Sequence, residues 1–110
     1  LSAYDTSTGV VLAQVQIAAK SNEIPAFTPL LRLVAAQLGS LADVLVVADA
    51  PHAQTGHAEY LAAASGHLMV TVKANQPTTF AQLKAVPWAR VPVGARTRET
   101  GHGRTETRTV

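Results

Sequence analysis

Four short stretches carry side chains whose types and spacing could do chemistry. The first is Asp49, which closes the apolar run Val44-Leu45-Val46-Val47-Ala48 and precedes Ala50-Pro51-His52-Ala53-Gln54. An acid at the carboxyl end of a buried strand stands where open α/β sheets form their ligand crevices. The competing reading is a helix cap, since Asp is a favoured cap and turn residue. The second stretch, Lys73-Ala74-Asn75-Gln76-Pro77, sets a cation beside two amides, donors suited to phosphate or to base edges. A polar loop before a proline-started helix is the commoner explanation for such a stretch. The third is the tail, where Arg90, Arg96, Arg98, Arg104 and Arg108 outnumber Glu99 and Glu106. Arginine forks pair well with phosphate, so a phosphate-binding strip is one reading and a solvated, alternately charged strand the other. The fourth is His52 and His57. Their five-residue separation does not stack them on one helical face, which makes a weak metal pair and favours surface or capping roles.

These residues need elements to position them. Four apolar residues and an Ala before Asp49 suit a strand covered on both faces, as in a parallel sheet flanked by helices. Leu68 to Lys73 reads as a second strand of this kind, with Thr55 to Ser65 as the crossover helix, stopped at Gly66. Side chains leaving both strands at one sheet edge would then converge near Asp49. Upstream, Leu1 to Tyr4 and Val10 to Ile17 flank the turn cluster Asp5-Thr6-Ser7-Thr8-Gly9, which predicts a hairpin. Val11, Ala13, Val15 and Ile17 form its expected inner face. A helix capped by Thr28 and opened by Pro29 follows, with Leu31, Val34, Ala35 and Leu38 at helical spacing and Gly39 as its stop. Pro77 to Ala85 predicts a third helix, with Phe80 and Leu83 inward. Beyond Pro87 helical periodicity disappears, and Arg104 to Val110 is β-prone. The expectation is an α/β fold with a mixed sheet.

Composition narrows the class. Hydrophobic residues make up 47% and charged residues 15% of the 110, enough apolar content for a folded core. There is no Cys, which excludes disulfides and thiolate metal sites. No apolar run approaches the roughly 18 residues of a membrane span, so no membrane partner is expected, and a cytoplasmic location is the default. The phosphate-loop and dinucleotide-loop glycine patterns and the G-x-S-x-G elbow are all absent, which argues against nucleotide-binding Rossmann proteins and α/β-hydrolases.

Four blocks occur in a telling order: Lys20-Ser21-Asn22-Glu23-Ile24, Val47 to Gln54, Val72 to Pro77, and Gly101-His102-Gly103-Arg104-Thr105-Glu106-Thr107-Arg108. Together they resemble the ISAs-type insertion-sequence transposases, the group that includes the H-repeat-associated proteins. The resemblance implies a ribonuclease-H-like mixed sheet with flanking helices and DDE chemistry. In that scheme three carboxylates hold two divalent ions, usually Mg²⁺, for in-line attack on a DNA phosphodiester. It implies that Asp49 is the second acid of the triad, both catalytic and metal-holding. Lys73, Asn75, Gln76, Arg104 and Arg108 become the expected DNA-binding residues.

The same resemblance places the first Asp of the triad before Leu1 and the last acid, in a Y-x-x-R-x-x-x-E helix, after Val110. Asp5 falls in the hairpin turn and Glu106 in a strand-like stretch, so neither is a replacement. Residues 1–89 then read as a partial catalytic core incomplete at both ends. Residues 90–110 read as the start of a basic, β-rich insertion segment. DNA is the implied partner, with a homo-oligomer possible in the longer protein. Whether 110 residues alone form an enzyme stays open at this point. Two alternatives stand beside this one: a non-catalytic nucleic-acid-binding α/β module, and an unrelated α/β domain for a small ligand.

Overall fold

A computed structural model describes residues 1–18, 22–101 and 103–110, apart from the side chain of Arg104. Lys20, Ser21 and His102, which belong to two of the blocks above, therefore lie outside the described residues. The chain forms two compact units, Leu1–Gln76 and Pro77–Val110.

The first unit opens with an antiparallel hairpin of β1 (Ser2–Tyr4) and β2 (Val11–Gln14). Asp5 fastens its turn. One carboxylate oxygen accepts from the Ser7 amide (2.8 Å) and Ser7 Oγ (2.7 Å), and the other from Thr8 Oγ1 (3.0 Å). These donors hold the Asp5 carboxyl below its ordinary pKa. The inner face departs from the expected alternation. Ala13 pairs with Ala3 but Val11 with Tyr4, so Leu12 is an extra residue in a bulge. Leu12 and Ala13 accordingly both pack against the core, while Val11 is exposed.

Helix α1 (Phe27–Leu38) starts before Pro29, so Thr28 lies inside it and is not its cap. Phe27, Leu30, Leu31 and Val34 are its buried face, at helical spacing. Leu38, expected inward, is 47% exposed, because the buried stripe is centred one turn nearer the N-terminus. Gly39 ends the helix with φ 84°, a left-handed cap that glycine adopts at least cost.

Strand β3 (Leu45–Ala48), helix α2 (Thr55–Ala63) and strand β4 (His67–Val70) form the expected strand–helix–strand unit, with β3 and β4 parallel and in register from Leu45↔His67 to Ala48↔Val70. β4 begins at His67 and ends three residues short of Lys73. Gly66 allows the tight entry to it: a Cβ there would lie 2.9 Å from the Leu41 carbonyl oxygen and 3.2 Å from Leu61 Cδ2. Val46, Ala48 and Leu68 face a core of Phe27, Leu31, Val34, Leu41 and Leu61, to which Ala3, Leu12 and Ala13 also contribute.

Two expectations are corrected here. The β3 strand is covered on one face only: Leu45, Val47 and Met69 are 56%, 65% and 57% exposed on the other. And the hairpin and the parallel pair do not merge into one mixed sheet. Each is a separate two-stranded ladder among the described residues, and the two are joined by side-chain packing beneath α1 and α2 rather than by backbone hydrogen bonds.

The second unit comprises α3 (Pro77–Ala85), a 3-10 turn at Trp88–Arg90, and an antiparallel hairpin of β5 (Arg96–Gly101) and β6 (Arg104–Thr109). The α3 bounds match expectation, but none of its residues is buried, and Leu83 is 38% exposed. Phe80 instead lies 5.3 Å beneath the Lys84 ammonium. No described helix is long and apolar enough to cross a membrane.

Candidate functional site

Asp49 is the residue that follows β3, in extended backbone (φ −72°, ψ 166°), and its side chain is exposed. The chain turns immediately after it through the 3-10 turn Ala50–His52, where Pro51 presets the bend and Ala50 is buried. The Asp49 carbonyl accepts from the His52 amide at 2.9 Å, but its carboxylate makes no capping hydrogen bond. The parallel pair thus ends in an uncommitted carboxylate facing water.

What holds that strand end in place was not foreseen. His52 and His57 are buried, at 4% and 6% exposure, rather than at the surface. Both rings stack on Phe27, at centroid separations of 4.6 and 4.2 Å, and lie 5.5 Å from each other. The helical-face argument missed this because His52 belongs to the turn and His57 to α2, and the first residue of α1 fits against both. His57 Nδ1 is 3.2 Å from the His52 carbonyl oxygen, and its Nε2 is 3.1 Å from that of Ile24. Each tautomer of the neutral ring donates to one of these carbonyls, and the ring packs between the turn after Asp49 and the segment before α1. His52 Nε2 is 3.8 Å from Glu23 Oε2, whereas its buried Nδ1 finds no hydrogen-bond partner among the described residues. Burial, reinforced by the neighbouring His57, pulls the His52 pKa below its ordinary value; Glu23 and Asp49 oppose this more weakly. In sequence, the signal was two His and one Phe near apolar segments, which does not distinguish a stack from solvent exposure.

The loop after β4 does meet the loop after β3. Gln76 Nε2 donates to the Ala53 carbonyl at 3.0 Å, and the Gln76 amide closes a turn onto the Lys73 carbonyl. Lys73 and Asn75 are exposed beside this bridge. Gln76 therefore has a bracing task, and Lys73 and Asn75 are the freer donors. In the other unit, Arg108 is held by two carboxylates, with Nη2 3.1 Å from Glu106 and Nη1 3.9 Å from Glu99. The Arg104 side chain lies outside the described residues. His67 is exposed and 3.9 Å from Asp43.

The donor set at Asp49 does not complete a metal centre. No group of three or more His, Cys, Asp or Glu side chains placed to hold a cation occurs among the described residues. One exposed carboxylate supplies a single hard oxygen donor, whereas two divalent ions in fixed geometry need several.

Comparison with known proteins gives one positive result. No curated protein and no solved structure gives a significant match. The sequence profile described as the transposase DDE domain matches residues 1–110, the whole chain. With an acid at the end of a parallel strand and the loop after the neighbouring strand braced against it, the chain belongs to the transposase DDE domain family.

Proposed function

We propose that the chain is the central part of a DDE transposase of the ISAs type, and that Asp49 is one of the carboxylates that hold its divalent ions. The observation that carries this is the free Asp49 carboxylate at the carboxyl end of β3, in a chain matched end to end by the family. Residues 1–89 belong to a ribonuclease-H-like core, and residues 90–110 open a β-rich insertion. Lys73 and Asn75, exposed just before the Gln76 brace, would take DNA phosphates near the reacting strand. DNA cleavage and strand transfer, Mg²⁺ and any homo-oligomer belong to the longer protein, in which the other two acids join Asp49.

The separation of the sheet into two ladders supports the same reading. The hairpin and the parallel pair pack on one helical layer yet share no backbone hydrogen bonds among the described residues. A strand bearing the first acid, inserted between β1 and β3, would join them into the mixed sheet that the family resemblance implies. The test is to translate the DNA on both sides of the reading frame. An Asp-bearing strand upstream and a Y-x-x-R-x-x-x-E helix downstream are expected. An unrelated start and stop closely bracketing the frame would overturn the proposal. Alone, the 110 residues are expected neither to nick nor to join DNA. Mg²⁺-dependent nicking of a supercoiled plasmid that is lost on Asp49→Ala would contradict that.

A further inference from the structure

The β5–β6 hairpin has two chemically different faces. Its register is unbroken, from Arg96↔Thr109 through Arg98↔Thr107 and Glu99↔Glu106 to Gly101↔Arg104. Side chains alternate across a strand, so this register sorts them. One face carries Arg96, Arg98, Thr100, Thr105, Thr107 and Thr109, all exposed: two cations, four hydroxyls and no acid. The opposite face carries Thr97, Glu99, Glu106 and Arg108. There Glu99 and Glu106 are a directly opposed like-charge pair, and Arg108 bridges both of them. On that face the acids dominate, and Arg108 is already engaged by them. Arg96 and Arg98, by contrast, have no hydrogen bond or ion pair among the described residues.

We propose that the Arg96–Arg98–Thr face of this hairpin is a docking surface for duplex DNA. The inference rests on the transposase reading only in taking DNA as the natural partner, and it names the surface and the residues that make it. Arg96 and Arg98 point the same way about 7 Å apart along one strand. The threonine hydroxyls opposite and beside them add neutral donors to phosphate oxygens, the common positioning contacts of such interfaces. The ribbon is about 20 Å long and two strands wide, and a two-stranded ribbon fits the roughly 12 Å major groove of B-form DNA. A-form RNA offers a deep, narrow major groove that side chains do not enter, so the shape selects DNA over duplex RNA. The acid-bearing face turns away from the phosphates, which gives the hairpin one orientation on the duplex. Arg108 then acts as an internal clamp between Glu99 and Glu106.

The test uses the full 110-residue chain and a short duplex of arbitrary sequence, with the binding constant followed by anisotropy as NaCl is varied. Each phosphate neutralised by an Arg adds about one to the slope of log K against log salt. The double variant Arg96→Gln/Arg98→Gln is expected to lower that slope by about two. Thr107→Lys, which adds a cation on the same face, is expected to raise it by about one, a gain that misfolding would not produce. Thr97→Lys adds the same charge to the opposite face and is expected to change the slope by much less. The surface is overturned if the chain binds no duplex at low salt, or if the double variant keeps the wild-type slope. It is also overturned if the two lysine variants behave alike, or if duplex RNA or an acidic peptide competes as well as DNA. Failure here leaves the transposase reading to its own test by flanking sequence. Unrelated flanks with an intact slope pattern would sink that reading and leave the surface standing.

Discussion

At the scale of single residues, the site is a contrast between one free acid and a set of committed side chains. Asp49 is exposed and makes no capping bond, so Asp49→Asn is expected to change stability by no more than about 0.5 kcal/mol in a urea titration. A larger loss would mean the carboxylate has a structural partner. Sequence left it between a helix cap and a ligand, because an acid after a Val-rich run suits either role, and the absence of a capping bond is seen only in the structure. His52 was not legible. Its folded pKa lies below the unfolded value of about 6.5, so the unfolded chain binds more protons as the medium becomes acidic. The stability that His52 contributes is therefore full above about pH 6.5 and is lost as pH falls toward its folded pKa. Denaturation at pH 7.5 and 5.5 checks this: the wild type should weaken at the lower pH, and His52→Leu should weaken less. Equal losses would remove His52 as the cause.

At the scale of elements, the crossover unit and some helix ends were readable from local chemistry, though not the start of α1, whereas contacts between segments distant in sequence were not. Gly39 and Pro77 mark their helices because glycine tolerates the left-handed cap and proline suits a first turn. The Leu12 bulge and the Phe27 stack depend on partners far along the chain, which no periodicity reports. Leu61, 1% exposed, is the point where α2 meets the core and the Gly66 entry to β4. Leu61→Ala is expected to cost about 2–5 kcal/mol, measured by chemical denaturation. Gly66→Ala forces a methyl group against the Leu41 carbonyl, and is expected to cost about 1–3 kcal/mol even though alanine is small. Near-neutral results for both would show that the α2–β4 corner is loose. Gln76→Ala removes the bridge to Ala53 and should cost about 0.5–1.5 kcal/mol.

At the scale of the whole molecule, the first unit has a packed side and an open side. Leu45, Val47 and Met69 form an apolar strip on the sheet face away from α1 and α2. The run Val44 to Ala48 suggested cover on both faces because a continuous apolar strand is normally buried twice. Sequence thus reported what the strand requires, and the structure reports what this chain provides. The isolated chain is expected to bind a hydrophobic dye and to associate at high concentration, and Val47→Lys should reduce both without lowering the denaturation midpoint. A midpoint that falls with Val47→Lys would show that the strip is already covered in solution.

The proposed role of Asp49 is that of a metal-holding acid in a DNA strand-transfer enzyme. Its most direct test is strand transfer by the protein expressed from the complete reading frame, wild type beside Asp49→Asn, at matched thermal stability and with Mg²⁺ present. The variant is expected to fold and bind DNA like the wild type but to join no detectable product, as that role requires. Wild-type levels of joining by Asp49→Asn would contradict it.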